Sequence, residues 1–285
     1  MGLFSPATKQ LFSAEHRAGS SVIRSTHAYI YLRWIWQYVY VARNFLIPIL
    51  PRPLKTWLKN NYHCKVVTQR EAEDVVRFEG QIALHAISDQ VIPFPKIRDM
   101  VLQEHSVIGV LPCACRSAVE AEGGIPCEPR QVCMIMGEPF VSFAIEKHRT
   151  VEMNDEDFRQ ALDEHGEVDL GGVLVLTPER AVGFLREQHE LGRVHTAWFK
   201  DATMGRFYAL CNCCSCCCSG TKAMKEWGTD IVAESGYLSI IDPEPCDGCG
   251  VCVDICIYDA LEIGADGKAC HVLDEHGLET CMGCG

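Results

Sequence analysis

Between His16 and Arg70 the chain contains no aspartate or glutamate. A stretch this long without acids cannot pair its own nine cations, so it and the acidic remainder of the chain must meet different partners, or each other. A long uncharged apolar run is missing as well. Within residues 29–50 the longest charge-free stretch before Pro48 is nine residues, short of the roughly twenty that a helical membrane span needs. The first twenty residues lack the apolar core of a signal peptide, which points to the cytoplasm. Met1-Gly2 opens like an acylation signal, but Pro6 stands where that signal carries serine or threonine. No glycine-rich dinucleotide fingerprint and no P-loop occurs, so a nicotinamide, flavin or ATP site of familiar type is unsupported.

What is present is a chain of 285 residues, 48% of them apolar, enough to bury a core and to form two or three domains. The net charge of −12 conceals a division. Setting aside Arg17, Arg24, Arg33, Arg43, Arg52, Lys55, Lys59, Lys65 and Arg70 leaves 17 basic against 38 acidic residues, or −21 for the remainder. Eighteen cysteines in so long a chain, falling in metal-ligand spacings, argue for metal binding in a reducing compartment rather than for a disulfide scaffold.

Residues 29–50 are the most apolar segment and are expected to form an amphipathic helix. Arg33, Gln37, Tyr40 and Asn44 fall on one stripe, and Ile30, Trp34, Tyr38, Val41 and Phe45 on a broader apolar side. Tyrosine and tryptophan mixed with arginine suit a membrane surface or docking to a partner subunit. An ordinary core helix and a true span are the other readings, the span disfavoured by length. Nucleic acid is not expected as a partner, since the basic residues are spread without a binding motif and the whole chain is acidic. Pro48, Pro51 and Pro53 end the helix. Thr68 and Glu71 form a capping box that opens a helix running to about His85.

An apolar strand at Val107–Leu111 leads into Cys113 and Cys115, and Cys127 and Cys133 follow. These four read as one constellation at a strand end, where α/β proteins place ligands. Arg116 and Arg130 lie beside them in sequence and would offset thiolate charge. Farther on come a surface helix at Asp155–Glu164, a strand at Val173–Leu176, and a helix capped by Thr177 that ends near Leu191. The histidines at 148, 165, 189 and 195 are given no ligand role. Then Cys211, Cys213, Cys214, Cys216, Cys217 and Cys218 crowd into eight residues. No regular element can aim all six at one centre, and six inert thiols together would be an oxidation hazard. Some are expected to bind metal, shared with the Cys113 group or as a separate cluster. Zinc and unligated thiols are the rival readings.

Near the end stands Cys246-Asp-Gly-Cys249-Gly-Val-Cys252-Val-Asp-Ile-Cys256. Intervals of two, two and three residues suit three thiolates gripping one iron–sulfur cluster while the fourth points elsewhere. Gly248 and Gly250 let the backbone wrap closely. The run resembles the bacterial-type ferredoxin family, with Ile257 where that family carries proline. The wider pattern, Pro112-Cys113-Ala-Cys115-Arg116, the dense Cys211–Cys218 run and this motif, resembles a group of multi-cysteine iron–sulfur proteins of anaerobic bacteria described as ferredoxin-type electron carriers. That resemblance covers most of residues 90–285 and implies electron transfer. Cys281 and Cys284 begin a second motif, which by cross-ligation would share Cys256. A strand at Gly236–Ile241 is expected before the motif, and a hairpin of Ala260–Ile263 and Ala269–Leu273 after it, with Cys270 a strand residue.

The expected fold is α+β. A basic aromatic arm (1–66) precedes a cysteine-rich α/β module (67–236) and a small ferredoxin-type domain (237–285). The expected cofactors are 4Fe–4S clusters, at least one of them in the C-terminal domain. The expected role is electron relay to a partner oxidoreductase or membrane complex, peripheral at the membrane through residues 29–50. An enzyme with a catalytic cluster in the central module and a structural zinc-thiolate protein are the alternatives.

Overall fold

Short runs rich in valine, isoleucine, leucine and aromatic residues build the centre of the molecule, because such side chains suit a pleated surface packed on both sides. The computed structural model describes residues 5–77, 108–200, 203, 206–229 and 231–285. Its strands are β1 (Tyr62–Val67), β2 (Ile108–Pro112), β3 (Gln131–Met136), β4 (Glu167–Asp169), β5 (Leu174–Leu176), β6 (Val194–Lys200), β7 (Arg206–Cys213) and β8 (Val232–Ala233). They form one sheet in the order β4-β5-β2-β3-β7-β6-β1-β8. Every neighbouring pair is antiparallel except β1 with β8. A separate hairpin of β9 (Leu261–Ile263) and β10 (Ala269–His271) lies in the C-terminal region. The fold is α+β, with a helical N-terminal region ahead of the sheet.

Helices cover both faces of the large sheet. On one, α5 (Gln69–Arg77) and α9 (Pro178–Glu190) pack Val75, Val76, Ala181 and Leu185 against Val110, Val132, Met134 and Leu210. The capping box opens α5 as expected: the Thr68 amide donates to Glu71 Oε2 at 2.8 Å and the Glu71 amide to Thr68 Oγ1 at 3.3 Å. The expected continuation of this helix to His85 lies outside the described residues. Thr177 caps α9 by accepting from the Arg180 amide, and the surface helix α8 spans Asp155–His165.

On the opposite face lie α7 (Phe140–His148) and the basic arm. The arm comprises α1 (Pro6–Arg17), α2 (Val22–Arg33), α3 (Ile35–Val41), a π-helical turn at Ala42–Leu46, a 3-10 turn at Ile47–Ile49 and α4 (Arg52–Asn61). Leu11, Tyr31, Leu32 and Ile35 are buried there with Ile135, Phe143 and Ala209. Tyr31 and Tyr208 share a hydrogen bond of 2.6 Å, and the Trp36 indole donates to the Pro112 carbonyl at 3.0 Å.

The arm is therefore not the single amphipathic helix that periodicity suggests. Trp34, at φ −126° and ψ 44°, separates α2 from α3, and the π-helical turn adds a second change of phase. Ile30, Trp34, Val41 and Phe45, which periodicity places on the apolar side, are 42–58% exposed. Tyr31, Leu32 and Ile35 go inward instead, and Arg43 is buried with them at 4% exposure. Among the described residues no helix is long and apolar enough to cross a membrane.

His148 is buried where α7 meets the arm. Its Nε2 lies 3.2 Å from the Leu32 carbonyl and its ring 5.0 Å from that of Trp36. Burial, reinforced by the Arg33 charge, holds its pKa below the ordinary 6.5, while the Leu32 carbonyl opposes the shift. A released arm would let His148 take up a proton more readily, so docking of the arm weakens as pH falls below about 6.5. Hydrogen exchange of residues 22–49 should be faster at pH 5.5 than at pH 7.5 after correction for intrinsic rates. His148→Gln should remove that extra pH dependence.

The strand expected at Gly236–Ile241 is not formed; the segment is irregular. Tyr237, Leu238 and Ile240 are 52–94% exposed, and among the described residues no strand pairs with it. Its anchor is Ser235, whose amide bonds the Met282 carbonyl at 3.0 Å and whose hydroxyl bonds the Gly283 carbonyl at 2.6 Å.

Candidate metal centres

All eighteen cysteines lie within the described residues, and all are free thiols. One set meets the spacing of a metal site. The sulfurs of Cys127, Cys214, Cys216 and Cys217 all lie within 4.8 Å of one another. Cys127 reaches Cys216 at 2.9 Å, and Cys216 reaches Cys217 at 3.5 Å and Cys214 at 3.8 Å. Strand β7 ends at Cys213, and the turn that follows releases Cys214, Cys216 and Cys217 from strand alternation. This outer quartet corrects the grouping suggested by order along the chain: Cys127 leaves Cys113, Cys115 and Cys133 to join the dense run.

Cations surround the quartet. Arg116, on α6 (Ala114–Ala121), is 1% exposed and donates through Nη1 to the Pro129 carbonyl. Its Nε and Nη2 have no hydrogen-bond partner, and its charge favours the Cys214 thiolate. Burial still dominates at Cys214, pushing that thiol up to about 11. At Cys127 burial is outweighed by contacts with Cys216, Cys217 and Cys214 and by the Arg193 charge, so this thiol ionises below its ordinary value. A buried guanidinium with two unmet donors within electrostatic reach of Cys214 suits an anionic thiolate centre. Arg130, the other arginine adjacent in sequence, turns away to Glu120 at 2.9 Å and Glu128 at 2.8 Å.

Arg43 comes from the arm, 174 residues earlier in the chain than Cys217. Its Nη1 donates to the Cys217 carbonyl at 2.7 Å, and its Nε pairs with Glu122 at 2.9 Å. No sequence signal marks it out from the other arm cations. The π-helical turn is what aims it inward.

The remaining central thiols meet inside the sheet. Cys133 and Cys211 are register partners on β3 and β7, with their sulfurs 3.8 Å apart. Cys218 contacts Cys213 at 3.5 Å. Cys115 is hydrogen-bonded to Cys113 and Cys218, and its sulfur accepts the Ser219 amide at 3.3 Å. Cys64, on β1, is fully buried within electrostatic reach of Cys213 and Cys115. Its isolation in the sequence hid this proximity.

In the C-terminal region, Gly248 and Gly250 take φ of 73° and 80°, and a Cβ at Gly248 would come within 2.0 Å of the Gly267 carbonyl oxygen. The loop therefore requires glycine there. Backbone amides point at its sulfurs: Ala269 to Cys246 and Ala260 to Cys256, each at 3.3 Å. Such amides stabilise thiolate ligands of a cluster.

Residues 239–262 match the 4Fe-4S binding domain family. The match takes in Cys246, Cys249, Cys252 and Cys256. No curated protein and no solved structure matches the chain. The C-terminal region is thus a 4Fe-4S binding domain, and the chain is an iron–sulfur protein with an electron-transfer role. The positive-φ glycines and the aimed amides fit a cubane cluster, with Cys246, Cys249 and Cys252 as its local thiolates. The central quartet could hold further metal.

Cys246, Cys249, Cys252 and Cys256 are not drawn together in the way the outer quartet is. Cys256 instead lies within electrostatic reach of Cys284, as does Cys281, consistent with the cross-ligating half-site. The departure at Ile257 has a structural role. That side chain is 5% exposed and packs with Cys64, Cys213 and Cys218, seating the 4Fe-4S binding domain on the sheet. Tyr258 and Cys284 pack against the same cluster. The Tyr258 hydroxyl is shielded without a partner, and its acidity is suppressed first by burial and then by Cys213, Cys64, Cys218 and Cys284. Cys270, as expected, is a strand residue in the hairpin.

Proposed function

We propose that this protein relays electrons from a donor to a partner oxidoreductase through the cluster of its C-terminal domain and a second centre at the outer quartet. The observation that carries the relay is packing continuity. Cys284 and Tyr258 of the C-terminal region pack against one apolar cluster containing Cys213 and Cys218, which flank the turn carrying Cys214, Cys216 and Cys217. Centres held in contiguous, dry protein exchange electrons within the molecule, and the protein sets their potentials through burial and nearby charge. Eighteen free thiols suit a reducing, cytoplasmic setting.

Docking is assigned to the outer surface of the arm. Val22, Ile23 and Ile49 are 79–83% exposed, and Arg17, Arg24 and Arg52 are exposed on the same arm. Cations beside apolar side chains support association with an acidic face of the partner oxidoreductase, at the membrane surface when that partner is a membrane complex. Reversing Arg24 and Arg52 to glutamate should slow electron delivery to the partner and flatten its salt dependence.

Metal analysis tests the reading most directly. Anaerobically purified protein should contain iron and acid-labile sulfide in near-equal amounts and give low-temperature EPR signals after reduction. Zinc without sulfide would overturn the relay.

A further inference from the structure

Six thiols remain in the central module after the outer quartet is set aside and Cys64, which does not face the cavity, is left behind them. They are not scattered. Contacts run from Cys113 to Cys115, from Cys115 to Cys218 and from Cys218 to Cys213. Cys211 lies within electrostatic reach of Cys213 and Cys113 and touches Cys133, which in turn reaches Cys113. The chain of four and the pair, each within electrostatic reach of the other, together outline an open ring.

The ring, together with Cys214 and Cys217 of the outer quartet, lines the floor of a cavity of about 420 Å³ between the sheet and the arm. Its other wall is apolar, made by Ile35, Tyr38, Val39, Leu46, Leu50 and Trp57. Two helix N-termini converge on the floor: Cys113 is the N-cap of α6, and Cys218 is the N-cap of α10 (Ser219–Trp227). Their partial positive charge stabilises thiolates, and the Ser219 amide already donates to Cys115. Thr196 Oγ1 lies 3.2 Å from the Cys213 sulfur, a second hydrogen-bonding contact to the ring. Among the described residues the spacing of a single-ion site is met by the outer quartet and not by the ring. Thiols that touch in a chain of four and a pair, each group within electrostatic reach of the other, with amides and dipoles aimed at them and room above, suit a polynuclear centre.

We propose that this ring binds an iron–sulfur centre of its own, distinct from the outer quartet, and that the N-terminal arm is the apolar cover that excludes water from it. The inference rests on the iron–sulfur reading of the chain. It places the covered centre between the quartet and Tyr258, at the middle of the relay. Arg43, fixed to the Cys217 carbonyl and to Glu122, fastens the cover at the edge of the ring.

The test is a cluster count on the full chain prepared without oxygen. Wild-type protein should carry about twelve irons, about four for each of three centres. Cys115→Ser and Cys211→Ser should each remove about four irons and one set of Mössbauer and EPR features, leaving the features lost in Cys216→Ser and in Cys249→Ser. Unchanged iron in both ring variants overturns the proposal, as does loss in Cys115→Ser of the same features that Cys216→Ser removes. Should the variants fail to fold, the wild-type count decides: about eight irons with matching sulfide defeats the ring while sparing the relay. Absence of sulfide would instead remove the iron–sulfur reading itself.

Discussion

Cys249→Ser is expected to remove one iron–sulfur signal and about four irons from the protein while leaving every signal of the central module in place. The ligand of a cluster is a thiolate, and a serine hydroxyl stays protonated at neutral pH and binds iron poorly. Cys249 is exposed on its loop, and its amide donates to Asp247 Oδ1 at 3.0 Å, a bond that serine preserves. The apo chain should therefore lose no more than about 0.5 kcal/mol of stability. Loop order is a different matter: metal binding is folding free energy for the residues that wrap it, so hydrogen exchange across residues 246–256 should rise sharply in the variant. The central thiols come from β3, β7, the turn after β7, the loop at Cys127 and the N-termini of α6 and α10, which share no residue with the loop at 246–256. Low-temperature EPR with iron and sulfide analysis checks the outcome. Loss of all signals together would mean that the two regions form one site.

Arg116→Met is expected to make the potential of the outer centre more negative, by on the order of 100 mV, with the C-terminal cluster unaffected. Arg116 is 1% exposed, and two of its three guanidinium nitrogens have no partner. Its charge already favours the Cys214 thiolate. A reduced centre carries one more negative charge than an oxidised one, so a buried cation beside it favours reduction, and removing the cation reverses that preference. Methionine retains most of the apolar stem and fills irregular space, which limits loss of packing. The metal-free variant should be no less stable than wild type, because a buried cation lacking partners is costly. A redox titration followed by EPR reads both centres at once. An unmoved outer potential, or an equal shift at both centres, would contradict this role for Arg116.

The two variants differ in how far they could be foreseen. The spacing of Cys246 to Cys256 by itself determined the C-terminal cluster site, because all its local ligands lie within eleven residues and a loop with glycines at 248 and 250 has few ways to fold. The same locality made the capping box at Thr68, the helix capped by Thr177 and the β9–β10 hairpin readable in advance, since the caps depend on groups three positions apart and the hairpin on residues no more than ten apart. Ile257 was legible only as a departure from a pattern. That it anchors the domain against Cys213 and Cys218 depends on what it meets.

Which thiols belong together was decided by the tertiary structure. Cys127 meets Cys216 across 89 positions of chain, and Cys133 meets Cys211 across 78 because β3 and β7 are neighbours in the sheet. Strand order is a global choice that local spacing does not encode. The arm shows the same limit. Periodicity established that it is helical and two-sided, but the break at Trp34 and the π-helical turn chose which side is buried, sending Arg43 inward and Phe45 outward. The sequence thus determined the chemistry of the C-terminal loop, thiolates for iron and sulfide, and the basic character of the arm. The tertiary structure decided which thiols meet one another, because only the packed sheet brings distant cysteines within reach.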